Sequence, residues 1–111
     1  MVGVKRVYDP FSNDDGYIVL VDRLWPRGIK KSDLRYDEWL KDIAPSAELR
    51  KALHAQSIDF EHFSRKYRQE LQNSVPLAEL KARAQKQKVT LMTAARTDQD
   101  NHITVLKAIL S

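Results

Sequence analysis

The sequence contains no cysteine. That single absence excludes disulfides, thiolate-ligated zinc, iron–sulfur clusters and a cysteine nucleophile. Glycine is also scarce, with only Gly3, Gly16 and Gly28. Their spacing forms neither a Gly-x-Gly-x-x-Gly dinucleotide fingerprint nor a Walker phosphate loop. No Gly-x-Ser-x-Gly elbow is present to raise a serine nucleophile. The three histidines, His54, His62 and His102, are scattered, and no His-Glu-x-x-His pattern joins them. No metal and no other cofactor is therefore expected. The longest purely aliphatic run, Ile18 to Val21, is far too short to span a bilayer. Lys5 and Arg6 fall where an export signal needs apolar residues, so a cytoplasmic protein without a membrane role is expected.

What is present fits a globular chain. Of 111 residues, 42% are hydrophobic and 31% charged, enough apolar material for one core and one domain over residues 1–111. The net charge is +4, and it is unevenly placed. Residues 1–45 hold eight Lys/Arg against eight Asp/Glu, whereas residues 46–111 hold eleven against seven. Arg65, Lys66 and Arg68 lead to a second group, Lys81, Arg83, Lys86 and Lys88. Such a face attracts polyanions such as nucleic acid, or it is simply the solvated side of two helices.

Periodicity divides the chain. Val2–Tyr8 reads as a strand, followed by a turn-rich stretch from Asp9 to Gly16. Tyr17–Asp22 is continuously apolar up to its final acid, the pattern of a strand buried on both faces. Arg23–Gly28 reads as a loop with room for one helical turn. Tyr36–Ile43 suits either a strand or a helix, with a lean to strand. Helices are predicted near 46–54, over Phe60–Leu71, over Pro76–Lys86 and over Asn101–Leu110. Asp59 or Ser57 can cap the second. Val89–Ala95 is a further strand. The result is a three-layer, sandwich-like α/β domain, with about four strands in a mostly parallel or mixed sheet flanked by helices. The Asp9–Gly16 link leaves a hairpin and a compact parallel connection both open.

Two loops follow buried strands directly, one at 22–28 and one at 96–102. In open α/β sheets, ligands bind beyond the carboxyl ends of parallel strands. If the two strands are parallel neighbours, Asp22, Arg23, Arg27, Arg96, Asn101 and His102 converge. Arg23, Arg27 and Arg96 beside a helix N-terminus suit a phosphate or carboxylate. Trp25 could stack on a planar ligand, and Asp22 or His102 could move a proton. Each has a plainer role: Asp22 and Arg23 as a structural pair, Trp25 and Trp39 as packing, His102 as a capping or solvent-facing histidine.

Val7-Tyr8-Asp9-Pro10, Asp22-Arg23-Leu24-Trp25-Pro26-Arg27-Gly28 and Trp39-Leu40-Lys41-Asp42-Ile43-Ala44-Pro45-Ser46 together resemble the YeaO-like family. Leu49-Arg50, Phe63-x-x-x-Tyr67-x-x-Glu70-Leu71 and Asn101-His102 extend the likeness over the whole chain. The resemblance implies a compact three-layer α/β domain of unknown function. It also implies that Asp22, Arg23, Trp25, Pro26, Arg27, Gly28, Trp39, Asn101 and His102 gather at one end of the sheet. Related sequences often have Tyr-Ala-Ala-Lys where this chain has Thr93-Ala94-Ala95-Arg96. Longer relatives place a cysteine beside the histidine; the neighbour in this chain is Asn101, so thiol chemistry is not available to it. Three functions are expected to compete. One is an anion pocket, with or without catalysis. Another is nucleic-acid binding through the basic helices between Arg65 and Lys88. The third is a protein contact made through Trp25.

Overall fold

Apolar runs and helix caps dictate most of the elements. In the computed structural model, which describes residues 1–111, the strands are β1 (Val2–Arg6), β2 (Tyr17–Leu20), β3 (Glu38–Trp39) and β4 (Val89–Thr93). The helices are α1 (Ala47–His54), α2 (Phe60–Glu70), α3 (Val75–Lys86) and α4 (His102–Leu110). Ser46, Asp59, Ser74 and Asn101 each accept a backbone N–H in the first turn that follows, which fixes where the helices start. Asp59, not Ser57, caps α2. No helix is long and apolar enough to cross a membrane.

All four strands are parallel, in the order β1-β4-β2-β3. The two central strands are the two continuous apolar runs, and every residue of β4 is buried. Alternation then assigns each side chain to a face. Val19, Val21, Val89 and Leu91 meet α1 to α4 in the main core. Ile18, Leu20 and Met92 face the other way, onto Trp25, Ile29, Leu34, Tyr36 and Trp39. The third layer is therefore irregular chain, carrying one 3-10 turn at Lys31–Asp33, while the α-helical residues of the core all meet the opposite face. The Arg23–Gly28 segment contains no helical turn.

The link from β1 to β2 is a parallel connection, not a hairpin, and β4 lies between the two strands it joins. Ser12 and Asp15 close a capping box around the 3-10 turn Asn13–Asp15. Lys5 Nζ donates to Asp15 at 2.6 Å, and Thr90 Oγ1 donates to the Asp15 carbonyl at 2.6 Å. These bonds anchor the short link to both strands it passes. Tyr36–Ile43 is only partly strand. Asp37 accepts the Ile18 N–H on its carboxylate at 2.7 Å, replacing a ladder bond. Glu38 and Trp39 pair with β2, and the chain then enters a 3-10 turn at Lys41–Ile43. Tyr67, fully buried on α2, donates its hydroxyl to the Ile43 carbonyl and locks that turn to the helix. Burial, with the nearby Glu70 charge, raises its pKa, so the donor proton stays in place.

Two glycines hold positive φ for different reasons. Gly16, at φ 67° and ψ −135°, lies near the region that glycine alone fills readily, and an added Cβ would meet the Lys88 carbonyl oxygen at 2.4 Å. Gly28, at φ 77°, has nothing within 4 Å of that position. Gly28→Ala should therefore cost only the left-handed backbone term, about 1–2 kcal/mol. Gly16→Ala adds a backbone clash and should lower Tm further than Gly28→Ala, as side-by-side thermal denaturation would show.

Candidate functional site

Because β2 and β4 are parallel neighbours, their carboxyl ends open at the same edge of the sheet. The chain leaving β2 delivers Asp22 there. Asp22 Oδ1 accepts from Thr93 Oγ1 at 2.6 Å and meets His102 Nε2 at 3.1 Å. Oδ2 accepts from the Ala94 N–H at 2.8 Å. Trp39 Nε1 donates to the Asp22 carbonyl at 2.6 Å. Burial pushes the Asp22 carboxyl up, but the bonds from His102, Ala94 and Thr93 more than offset it, so its pKa lies below the usual value. An ionised carboxylate only accepts, so His102 Nε2 carries the proton of that bond. His102 Nδ1 makes no hydrogen bond within the protein, and no sealed side-chain atom lacks a partner, so Nδ1 is open to solvent.

A cavity of about 380 Å³ lies over this pair. Arg23, Trp25 and Arg27 line it from the loop after β2, and Ala94 and Ala95 from the chain after β4. Pro45 and Arg50 line it from the segment that enters α1. Arg23 is half-buried and committed, with Nε donating to the Pro45 carbonyl at 3.2 Å and Nη2 to the Ala44 carbonyl at 3.0 Å. Arg27 and Arg50 are exposed at the opening and form no ion pair. Trp25 is half-buried; its Nε1 donates to the Ile29 carbonyl at 2.6 Å, and its ring sits edge-on to Tyr36 and Trp39. One wall is thus an indole held by packing on one side and a hydrogen bond on the other.

The structure gathers Asp22, Arg23, Trp25, Arg27 and His102 around one cavity. Two other residues picked from the sequence stand apart. Arg96 makes a two-pronged pair with Asp98 in open solvent and does not line the cavity. Asn101 is a cap: its Oδ1 accepts from the Ile103 N–H at 3.0 Å and its Nδ2 donates to the Arg96 carbonyl at 2.7 Å. Arg50 takes the position sequence reasoning missed. Nothing in helical periodicity separates it from any other exposed arginine; only the packing of α1 brings it to the opening. No three His, Cys, Asp or Glu side chains come together where a metal could be held.

A family model described as the inactive DUF488-N3 subclade matches residues 1–111. The chain belongs to this family. The uncharacterised protein YeaO of Escherichia coli is 51% identical over 106 residues, covering 92% of this chain and 90% of the relative. The uncharacterised proteins Mb3100c of Mycobacterium bovis and Rv3073c of Mycobacterium tuberculosis are each 46% identical over 110 residues, covering 99% of this chain and 93% of theirs. No solved structure matches the chain.

The Asp22 network predicts a defined acid response. Asp22→Asn puts an amide where both carboxylate oxygens accept, and one N–H then opposes either Ala94 or the Thr93–His102 pair. The cost at neutral pH should be roughly 1–3 kcal/mol in chemical denaturation. A carboxylate with a lowered folded pKa stabilises the fold above its unfolded pKa, about 3.9, and that contribution is lost as pH falls through the folded value. The stability gap between wild type and Asp22→Asn should therefore narrow below about pH 4. A gap that stays constant down to pH 2 would contradict this role for the carboxylate.

Proposed function

We propose that the protein is a cytoplasmic anion-binding protein that holds a small phosphorylated or carboxylated metabolite without turning it over. The observation that carries this reading is an imbalance of charge and bonding at the cavity. Arg27 and Arg50 stand at its opening with no acidic partner, and the one carboxylate lining it already accepts hydrogen bonds on both oxygens. Guanidinium groups in that state favour a bidentate oxyanion. The volume fits a compact metabolite.

The lining argues against turnover. It includes no Ser, Thr, Lys, Tyr or Cys side chain, so no hydroxyl, amine or thiol nucleophile is placed there. Asp22 is committed to structure, which leaves His102 as the sole group able to exchange a proton. The description of the family as inactive agrees with binding in place of reaction. On this reading Asp22 and His102, singled out from the sequence for proton transfer, take other parts: Asp22 orients the imidazole, and His102 lines the cavity beside the ligand. The basic helices support the nucleic-acid alternative less well. Arg65, Lys66, Arg68, Lys81 and Lys86 are exposed, but the aromatic rings of α2 are buried or half-buried, so no exposed ring stands among them for a base to stack on.

Thermal-shift titration with phosphate and sulfate tests the proposal. Near 100 times the dissociation constant, a bound anion should add roughly 2.7 kcal/mol, a rise of several degrees. Arg27→Ala and Arg50→Ala together should remove that rise. Equal stabilisation of the double variant, or none of the wild type at high anion concentration, would overturn it.

A further inference from the structure

Hydrogen bonds commit the donors of Arg23 but not its charge. Nε and Nη2 meet the Pro45 and Ala44 carbonyls, which are neutral, and no carboxylate lies within ion-pairing distance of the guanidinium. Arg6 repeats the arrangement from outside the cavity. Its Nε donates to the Ala95 carbonyl at 3.0 Å and its Nη2 to the Ala94 carbonyl at 2.7 Å. The carbonyls of both wall segments therefore already accept a guanidinium N–H, which blunts their repulsion of an anion.

The lining then has a simple charge balance. Arg23, Arg27 and Arg50 supply three positive charges, and Asp22 is the one acidic side chain against them, an excess of two. The excess is no smaller if His102 is protonated. Two charges just outside the lining offset each other: Arg6, on the Ala94 and Ala95 carbonyls, and Glu70, which accepts from Ser46 next to Pro45. The remaining walls, Trp25, Pro26, Pro45, Ala94 and Ala95, are apolar and concentrate the field of the arginines.

A monoanion leaves half of that excess unmet. We infer, resting on the anion-binding reading above, that the cavity selects dianions over monoanions of the same shape. Its ligand then carries a phosphomonoester in place of a single carboxylate. A phosphomonoester loses its second proton near a pKa of about 6 and is doubly charged at neutral pH, whereas a carboxylate carries one charge. Arg27 and Arg50 hold the oxygens at the opening. The charge of Arg23, half-buried and so less screened by water, adds to the preference for the second negative charge.

Methyl phosphate and methyl sulfate isolate the charge. At about pH 8 both present three unprotonated terminal oxygens and one methyl group, but one is a dianion and the other a monoanion. Isothermal titration at fixed ionic strength should find methyl phosphate about tenfold tighter, with acetate no tighter than methyl sulfate. Added salt should shrink the ratio. Arg23→Gln halves the excess, so the ratio should fall to about threefold, while Arg23→Lys should keep it. Arg50→Gln makes the same change of charge at an exposed position without removing a structural bond, so a poorly folding Arg23→Gln does not block the test.

The failures are distinct. If methyl phosphate and methyl sulfate bind the wild type equally, or the ratio survives unchanged in Arg50→Gln, selection by charge is overturned and the anion site stands. If neither ester binds, and phosphate and sulfate do not either, the anion reading fails and takes the inference with it.

Discussion

A carboxylate that emerges from a buried strand must find donors, and Asp22 finds them in three parts of the chain at once. Thr93 and Ala94 come from the end of β4, and His102 opens α4. The Asp22 carbonyl adds Trp39, at the end of β3. One residue therefore ties β2 to both of its neighbours in the sheet and to the last helix. Every wall of the cavity is referenced to that knot. Removing the charge disturbs the stability of the sheet edge and the orientation of the imidazole together, because the same oxygen atoms serve both.

Arg23 plays the matching role on the other side. Its guanidinium donates to the Ala44 and Pro45 carbonyls, which have no helix or strand partner at that point. The segment leading into α1 is thereby held against the end of β2, and Arg50 comes to the opening with it. The irregular layer over the opposite face of the sheet does comparable work. Trp25 sits edge-on to both Tyr36 and Trp39, and each indole N–H meets a backbone carbonyl. An irregular segment with its polar groups satisfied and its rings interlocked can form a fixed wall without a helix.

The chemistry of the site follows from what this scaffold leaves uncommitted. Asp22, Arg23, Asn101 and the indole N–H of Trp25 are all engaged in holding structure. Arg27 and Arg50 at the opening, and one imidazole nitrogen at the floor, are not.

Much of this was legible in local sequence. Continuous apolarity at Tyr17–Val21 and Val89–Thr93 marks strands buried on both faces, since alternation is needed only when one face meets water. Asp59, one of two candidate caps, marks the start of α2 because its side chain takes up a free N–H group there. The Asp22–Gly28 loop and His102 could be placed at strand and helix ends, so their meeting followed once β2 and β4 were parallel neighbours. The tertiary structure alone decided that adjacency, the insertion of β4 between β1 and β2, and the arrival of Arg50 from α1. The reason is physical: propensities and caps act within a few residues, whereas the partner of a guanidinium or of a strand edge is chosen among groups that only packing brings into reach.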